Sequence, residues 1–232
     1  MATARNSLGC AEVGGLIYAI GGEDNTGTIG QVQVYNPLTD PWNNPLPNPL
    51  AAMPTARKAV GCAAVDGIVY VMGGLFGATT VVEAYDPVAD AWSTKASMPN
   101  GRHSFTVATL GRRIYAIGGT DGSNVETIDV YDPTTDAWAS AGTLPTPRVG
   151  LDATVLDGQI VLFGGGVAGS VTSGVTERWS PFSNRWTPTT HMPTPRTFYT
   201  ADTVSGRCFV MGGLQGGAYQ TAVEIYSVAN VT

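Results

Sequence analysis

Charge is scarce in this chain of 232 residues: 13% are Asp, Glu, Lys or Arg, and the net charge is −6. Only two of the twelve cations are Lys, at positions 58 and 95. A binder of nucleic-acid phosphates needs a basic stripe that displaces counterions, so no nucleic acid partner is expected. Cysteine is scarce too. The three, Cys10, Cys62 and Cys208, are too few and too scattered for a disulfide framework or a Cys-rich zinc centre, and they read as buried free thiols. No run of eighteen apolar residues occurs, and Met1-Ala2-Thr3-Ala4-Arg5 has no apolar segment behind a basic start. Neither a membrane span nor a signal peptide is expected, and the chain reads as soluble with its compartment open. His103 and His191 are the only imidazoles, and no carboxylate spacing joins them into a ligand set, so no metal and no cofactor are expected.

Glycine, proline and apolar residues are abundant instead: 30 Gly, 15 Pro and 43% apolar residues. That composition builds a core from many short strands joined by turns and argues against an all-α fold. Laid against itself, the chain shows five copies of one unit. They run 1–52, 53–97, 98–143, 144–191 and 192–232, within a single domain of 1–232. The fifth place of each copy is Arg: Arg5, Arg57, Arg102, Arg148 and Arg196. Sixteen residues after each Arg stands the first glycine of a Gly-Gly pair, at positions 21, 73, 118, 164 and 212.

Between Arg and Gly-Gly lie two β-branched runs joined by a turn dipeptide, as in Cys62-Ala63-Ala64-Val65, Asp66-Gly67, Ile68-Val69-Tyr70-Val71-Met72, which is a hairpin pattern. A third strand ends at Tyr35, Tyr85, Tyr131, Trp179 or Tyr226. Seven residues later, in the first four copies, Trp42, Trp92, Trp138 or Trp186 opens a fourth strand after a turn of the Asp86-Pro87-Val88-Ala89-Asp90 type. The fold class is therefore all-β, five repeats of four antiparallel strands, with the fifth lacking its fourth strand. Such a unit cannot bury both faces alone and stacks on its neighbours.

The double Gly, the spaced Tyr and Trp and the four strands per unit resemble the kelch repeat, and the resemblance spans the whole chain. It implies a kelch-type β-propeller with one blade per repeat. The family includes adaptor and substrate-receptor domains as well as sugar-oxidising copper enzymes and a sialic-acid epimerase, so the fold does not name the chemistry. Three arrangements stay open: a closed five-bladed ring, an excerpt of a longer propeller, or a protomer that completes its ring with another copy.

Strand alternation puts Arg, the Gly-Gly loop and the blade junction at one end, and all length variation falls there. Loops carry function where the scaffold tolerates change, so this end is the expected functional face. Its candidate ligand-binding residues are Arg5, Arg57, Arg102, Arg148 and Arg196, with His103, Asp121, Phe76 and Tyr219. Five guanidinium groups suit a carboxylate, sulfate or acidic peptide, and in kelch adaptors arginines at this register contact acidic peptides. An opposite role is equally explicit in the sequence. Each third strand carries Gln33, Glu83, Asp129, Glu177 or Glu224 near its start, so a repeated Arg with a repeated acid also reads as a scaffold ion pair. Phe76 and Tyr219 read either as contact residues or as covers folded over the blade tops.

Two functions follow. The first is a non-catalytic recognition scaffold for a protein, acidic peptide or glycan on the Arg and Gly-Gly face, with self-association through the incomplete last blade. The alternative is an epimerase- or cyclase-like enzyme that holds a carboxylate-bearing substrate with the arginines and uses His103 or Asp121 as acid or base. Few side chains here can transfer protons, which favours recognition and no catalytic residue. Gly164-Gly165-Gly166-Val167-Ala168-Gly169 fits a dinucleotide pattern but precedes a polar, β-branched stretch that offers no helix N-terminus.

Overall fold

The computed structural model of the chain describes residues 1, 3–39, 42, 49–75, 79–167 and 171–227. Among the described residues, five antiparallel sheets of three or four strands follow one another along the chain, three two-stranded ribbons lie in their loops, and no helix occurs. Blade two has the order Gly61–Val65, Ile68–Met72, Val82–Asp86, Ala91–Thr94, each strand beside the one before it. Blade three repeats it with Thr106–Leu110, Arg113–Ile117, Thr127–Asp132 and Ala137–Thr143. Blade four uses Asp152–Leu156, Gln159–Phe163, Thr176–Ser180 and Arg185–Pro188. In blade one, Gly9–Val13, Leu16–Ile20 and Val32–Tyr35 pair in order, and Trp42 adds a single bridge to Tyr35. Blade five shows three strands among the described residues: Thr200–Val204, Arg207–Met211 and Val223–Ser227.

The turns form for the reasons the sequence gives. Asp66-Gly67, Asp157-Gly158 and Ser205-Gly206 have φ of 50–51° then 69–80°, the left-handed pair that matches strand twist in a two-residue hairpin. In the longer turn, the Asp86 carboxylate accepts from the Val88 and Ala89 N–H groups, and the Asn36 and Asp132 side chains accept from Leu38 and Thr134.

Within blades one and two, and within blades three to five, alternating residues of neighbouring sheets are buried against one another. Tyr18, Ile20, Val69, Val71 and Tyr85 form one such layer, Ile117, Ile128, Leu151, Ile160 and Trp179 another, and Phe163, Met192, Val210 and Tyr226 a third. Chain packing divides into two compact units, Met1–His103 with Asp132–Trp138, and Ser104–Tyr131 with Ala139–Thr232. The cysteine expectation is corrected in part. Cys208 is buried, but Cys62 is half-buried and Cys10 exposed, because Cys10 falls on the solvent-facing register of its strand. No helix among the described residues is long and apolar enough to cross a membrane.

Candidate functional site

The repeated arginines are interior residues. Arg57, Arg102, Arg148 and Arg196 are each 0% exposed, while Arg5 keeps some surface. One guanidinium nitrogen reaches both legs of the loop that leaves the second strand: Arg57 Nη1 donates to the Gly73 and Val81 carbonyls at 2.6 and 2.9 Å. Arg148 does the same at Gly164 and Val175, Arg196 at Gly212 and Ala222, and Arg5 at Gly21 and Gln31. The other nitrogen meets the third-strand acid. Arg57–Glu83, Arg148–Glu177 and Arg196–Glu224 are ion pairs of 2.7, 2.6 and 2.7 Å, and Arg5 donates to Gln33 Oε1 at 3.1 Å. Burial lowers the Arg57 and Arg148 pKa values, and the facing carboxylates oppose that shift. At Glu224 burial works against ionisation, but hydrogen bonds from Thr194 and Arg196 outweigh it and hold the carboxyl below its ordinary range.

The double glycine serves the same frame. The second glycine N–H of one blade donates to the backbone carbonyl of the next blade's Arg, as in Gly22 to Arg57, Gly119 to Arg148 and Gly165 to Arg196, all at 2.9–3.0 Å. A Cβ on Gly118 (φ +65°) would stand 2.8 Å from the Arg148 carbonyl oxygen, so both the conformation and the space require glycine.

Two residues past each Arg the chain turns left-handed, at Ser7, Ala59, Ser104, Gly150 and Phe198, with φ of 51–61°. This element has no sequence signature, because the conformation is imposed by backbone pairing between blades: Ala59 N donates to Ser7 O, Gly150 N to Ser104 O and Phe198 N to Gly150 O. Alanine bears the left-handed penalty at position 59 without compensation. Ala59→Gly is expected to raise stability by about 0.5–1 kcal/mol in denaturant unfolding, after the loss to unfolded-chain entropy.

Above the arginines stand the loops. Three of them, read from sequence only as loops, contain two-stranded ribbons: Glu23–Asp24 with Gly27–Thr28, Gly166–Val167 with Val171–Thr172, and Leu214–Gln215 with Ala218–Tyr219. Tyr219, on the blade-five ribbon, is 88% exposed, and Phe198, whose ring lies against Gly150 and which the sequence did not single out, is 60% exposed. Lys58 closes the first loop onto the second blade through an ion pair to Glu23 at 2.7 Å. Asp121 is exposed and accepts from Ser123 N and Oγ at 3.0 Å, which shapes its own loop. His103 is half-buried beside Arg102, and burial lowers its pKa. Phe76 lies outside the described residues. No cluster of three His, Cys, Asp or Glu side chains with metal-binding geometry occurs among the described residues.

Antiparallel sheets repeated along the chain, four-stranded in blades two to four, with an Arg and a Gly-Gly turn in each repeat, define a kelch-type β-propeller. The chain belongs to the family described as the KLHDC2/KLHL20/DRC7 Kelch-repeats domain, which it matches over residues 2–166. It is similar to Kelch-like protein terF of Aspergillus terreus, 33% identical over 135 residues, or 52% of this chain and 28% of that protein. It is also similar to Kelch-like protein 40 of Xenopus tropicalis (33% identity; 45% of this chain, 17% of that protein) and Kelch-like protein 23 of Homo sapiens (34%; 51% and 21%). The chain spans less than a third of the length of these relatives. Among solved structures, the one titled "Structure of YjhT" superposes with a TM-score of 0.82 at 17% identity, covering 97% of this chain and 82% of that one, a likeness of fold.

Proposed function

We propose that the chain is a non-catalytic recognition scaffold that binds a protein or peptide through the loop ends of its blades. One observation carries this reading. The interior ends of the loops are fixed by buried Arg and carboxylate pairs, while their outer parts vary in length and carry Tyr219 largely exposed. Rigid platforms with variable, aromatic-bearing tips suit recognition, because little ordering entropy is lost on binding. The kelch-like names of the relatives support a protein-binding role. Within this reading the arginines hold the loops, and contact falls to the loop side chains, Tyr219 and Asp121 among them. An acidic peptide or a glycan would meet those same tips.

The test is selection of a displayed peptide library on the intact chain, followed by titration of the selected peptides against single variants. Tyr219→Ala or Asp121→Ala should weaken binding by about tenfold or more, near 1.4 kcal/mol. Val88→Ser and Phe182→Ser, whose side chains are exposed on the turns at the other end of their strands, should leave it unchanged. The reverse pattern would move the site to those turns and overturn the assignment.

A further inference from the structure

The first strands of blades three, four and five, Thr106–Leu110, Asp152–Leu156 and Thr200–Val204, each form an edge of their sheet, so one side of each has no ladder partner. Pairing to the second strand fixes which backbone groups lie on that side. The two-residue hairpins close on Leu110 with Arg113, Leu156 with Gln159 and Val204 with Arg207, and hydrogen-bonded pairs then alternate with unbonded ones along each ladder. Val107, Thr109, Ala153, Val155, Ala201 and Thr203 therefore turn both N–H and C=O away from their sheets. Between the three strands runs a groove of about 380 Å³, lined by residues 107–109, 153–155 and 201–203.

Side chains already take up half of the N–H groups on that side. Ala153 N donates to Asp152 Oδ1 and Thr106 Oγ1, Ala201 N to Asp152 Oδ2, and Thr203 N to Asp202 Oδ1, at 2.7–3.2 Å. The carbonyls of the six residues receive no donor from the described residues, and neither does Asp202 Oδ2. With the hydroxyls of Thr109, Thr154 and Thr203, the wall is chiefly oxygen. Its acceptors fall in two tiers. Val107, Ala153 and Ala201 stand five residues after the Arg of their blades, and Thr109, Val155 and Thr203 seven, so strand rise separates the tiers by roughly 6.6 Å. Each tier has one carboxylate: Asp152 is bonded to N–H groups of the first, and Asp202 to an N–H of the second.

We propose that this groove binds a linear aliphatic diammonium ion of the 1,4-diaminobutane type, with one nitrogen at each tier. An alkylammonium has three donors and no acceptor, the complement of a wall of carbonyl, hydroxyl and carboxylate oxygens. Five bonds of standard length place its two nitrogens about 6 Å apart when extended, close to the separation of the tiers. Both amines stay protonated at neutral pH, as a lysine does, so each meets a tier with a carboxylate. A compact divalent metal is a poorer match. Calcium needs six to eight oxygens at about 2.3–2.6 Å, and strands of three separate sheets, unjoined by ladder bonds, do not bring their carbonyls together that closely. An anion is opposed by both carboxylates. The groove lies along the strands and is separate from the loop ends assigned above.

The experiment is calorimetric titration of 1,4-diaminobutane into the intact chain at neutral pH and low salt. Saturable one-to-one binding is expected, with a Kd below about 1 mM. Butylamine, which has the same carbon chain and one ammonium, should bind about tenfold or more weakly. Asp202→Asn, at an exposed position, keeps an oxygen for Thr203 N and should weaken the diamine about tenfold while the melting temperature holds. Glu126→Gln removes an exposed carboxylate outside the groove and should change nothing. No saturation up to about 10 mM would overturn the proposal, as would equal binding of butylamine. Equal losses in Asp202→Asn and Glu126→Gln would reduce the effect to general attraction by an acidic chain and overturn it. Calcium that binds more tightly than the diamine and is displaced by it would make the groove a metal site, which overturns it as well.

Discussion

Arg57→Ala is expected to lower the stability of the fold by about 3–5 kcal/mol, the cost of leaving a buried charge without its partner. The Glu83 carboxylate would remain enclosed, with Thr55 Oγ1 as its other donor, and the Gly73 and Val81 carbonyls would lose the guanidinium that joins them. In a chain of this size that corresponds to a fall in melting temperature of roughly 6–20 °C by calorimetry. The double variant Arg57→Met with Glu83→Leu removes both charges together and should recover much of the loss, because an apolar pair of similar volume escapes the desolvation penalty. Arg57→Lys should fall between, since an ammonium on a flexible stem cannot place donors at once on two loop carbonyls and a carboxylate. An Arg57→Ala protein that melts like the parent and has lost peptide binding would instead make Arg57 a ligand contact.

That choice between two roles marks where the sequence runs out. The repeated Arg and the repeated Gln33, Glu83, Asp129, Glu177 and Glu224 are plain in the chain, and strand alternation puts them at one end of each blade. Periodicity does not tell whether a guanidinium at a strand entrance points outward or folds under the loop; that depends on the two loop carbonyls that meet it, which come from separate segments. The Asp66-Gly67 hairpin and the Asp86 turn were legible because each is closed by its own residues. The Glu23–Thr28 ribbon was not, since a pair of two-residue strands is too short to show alternation. The left-handed step at Ser7, Ala59, Ser104, Gly150 and Phe198 was hidden for a different reason: five unlike residues adopt one conformation because neighbouring blades demand it.

Asp152 belongs to the same hidden class and carries a pH effect that falls near neutrality. It opens the inner strand of blade four, and its carboxylate accepts from Thr106 Oγ1 at 2.7 Å, Ala201 N at 2.8 Å and Ala153 N at 2.9 Å, linking three inner strands. Burial pushes its pKa up to about 6 from 3.8; the three hydrogen bonds oppose the rise and the neighbouring Asp202 adds to it. A carboxyl whose pKa is raised on folding takes up a proton more readily in the folded state, so its ionisation costs stability above about pH 6 and that cost disappears as pH falls toward 4. Asp152→Asn has no charge to desolvate: with its oxygen in the Oδ2 place it keeps the bond from Ala201 N and can give an amide proton to the Thr106 hydroxyl, while Ala153 N, which loses Oδ1, still has Thr106 Oγ1 as acceptor. Near pH 7.5 it should be more stable than the parent by about 2–3 kcal/mol, the value of a two-unit shift. Because the other carboxylates titrate equally in both proteins, the difference between their denaturant midpoints isolates this one group. A difference that shrinks through pH 6 and vanishes near pH 4 assigns it to the buried charge, whereas one constant from pH 4 to 8 would show that the substitution acts through packing and that Asp152 titrates normally.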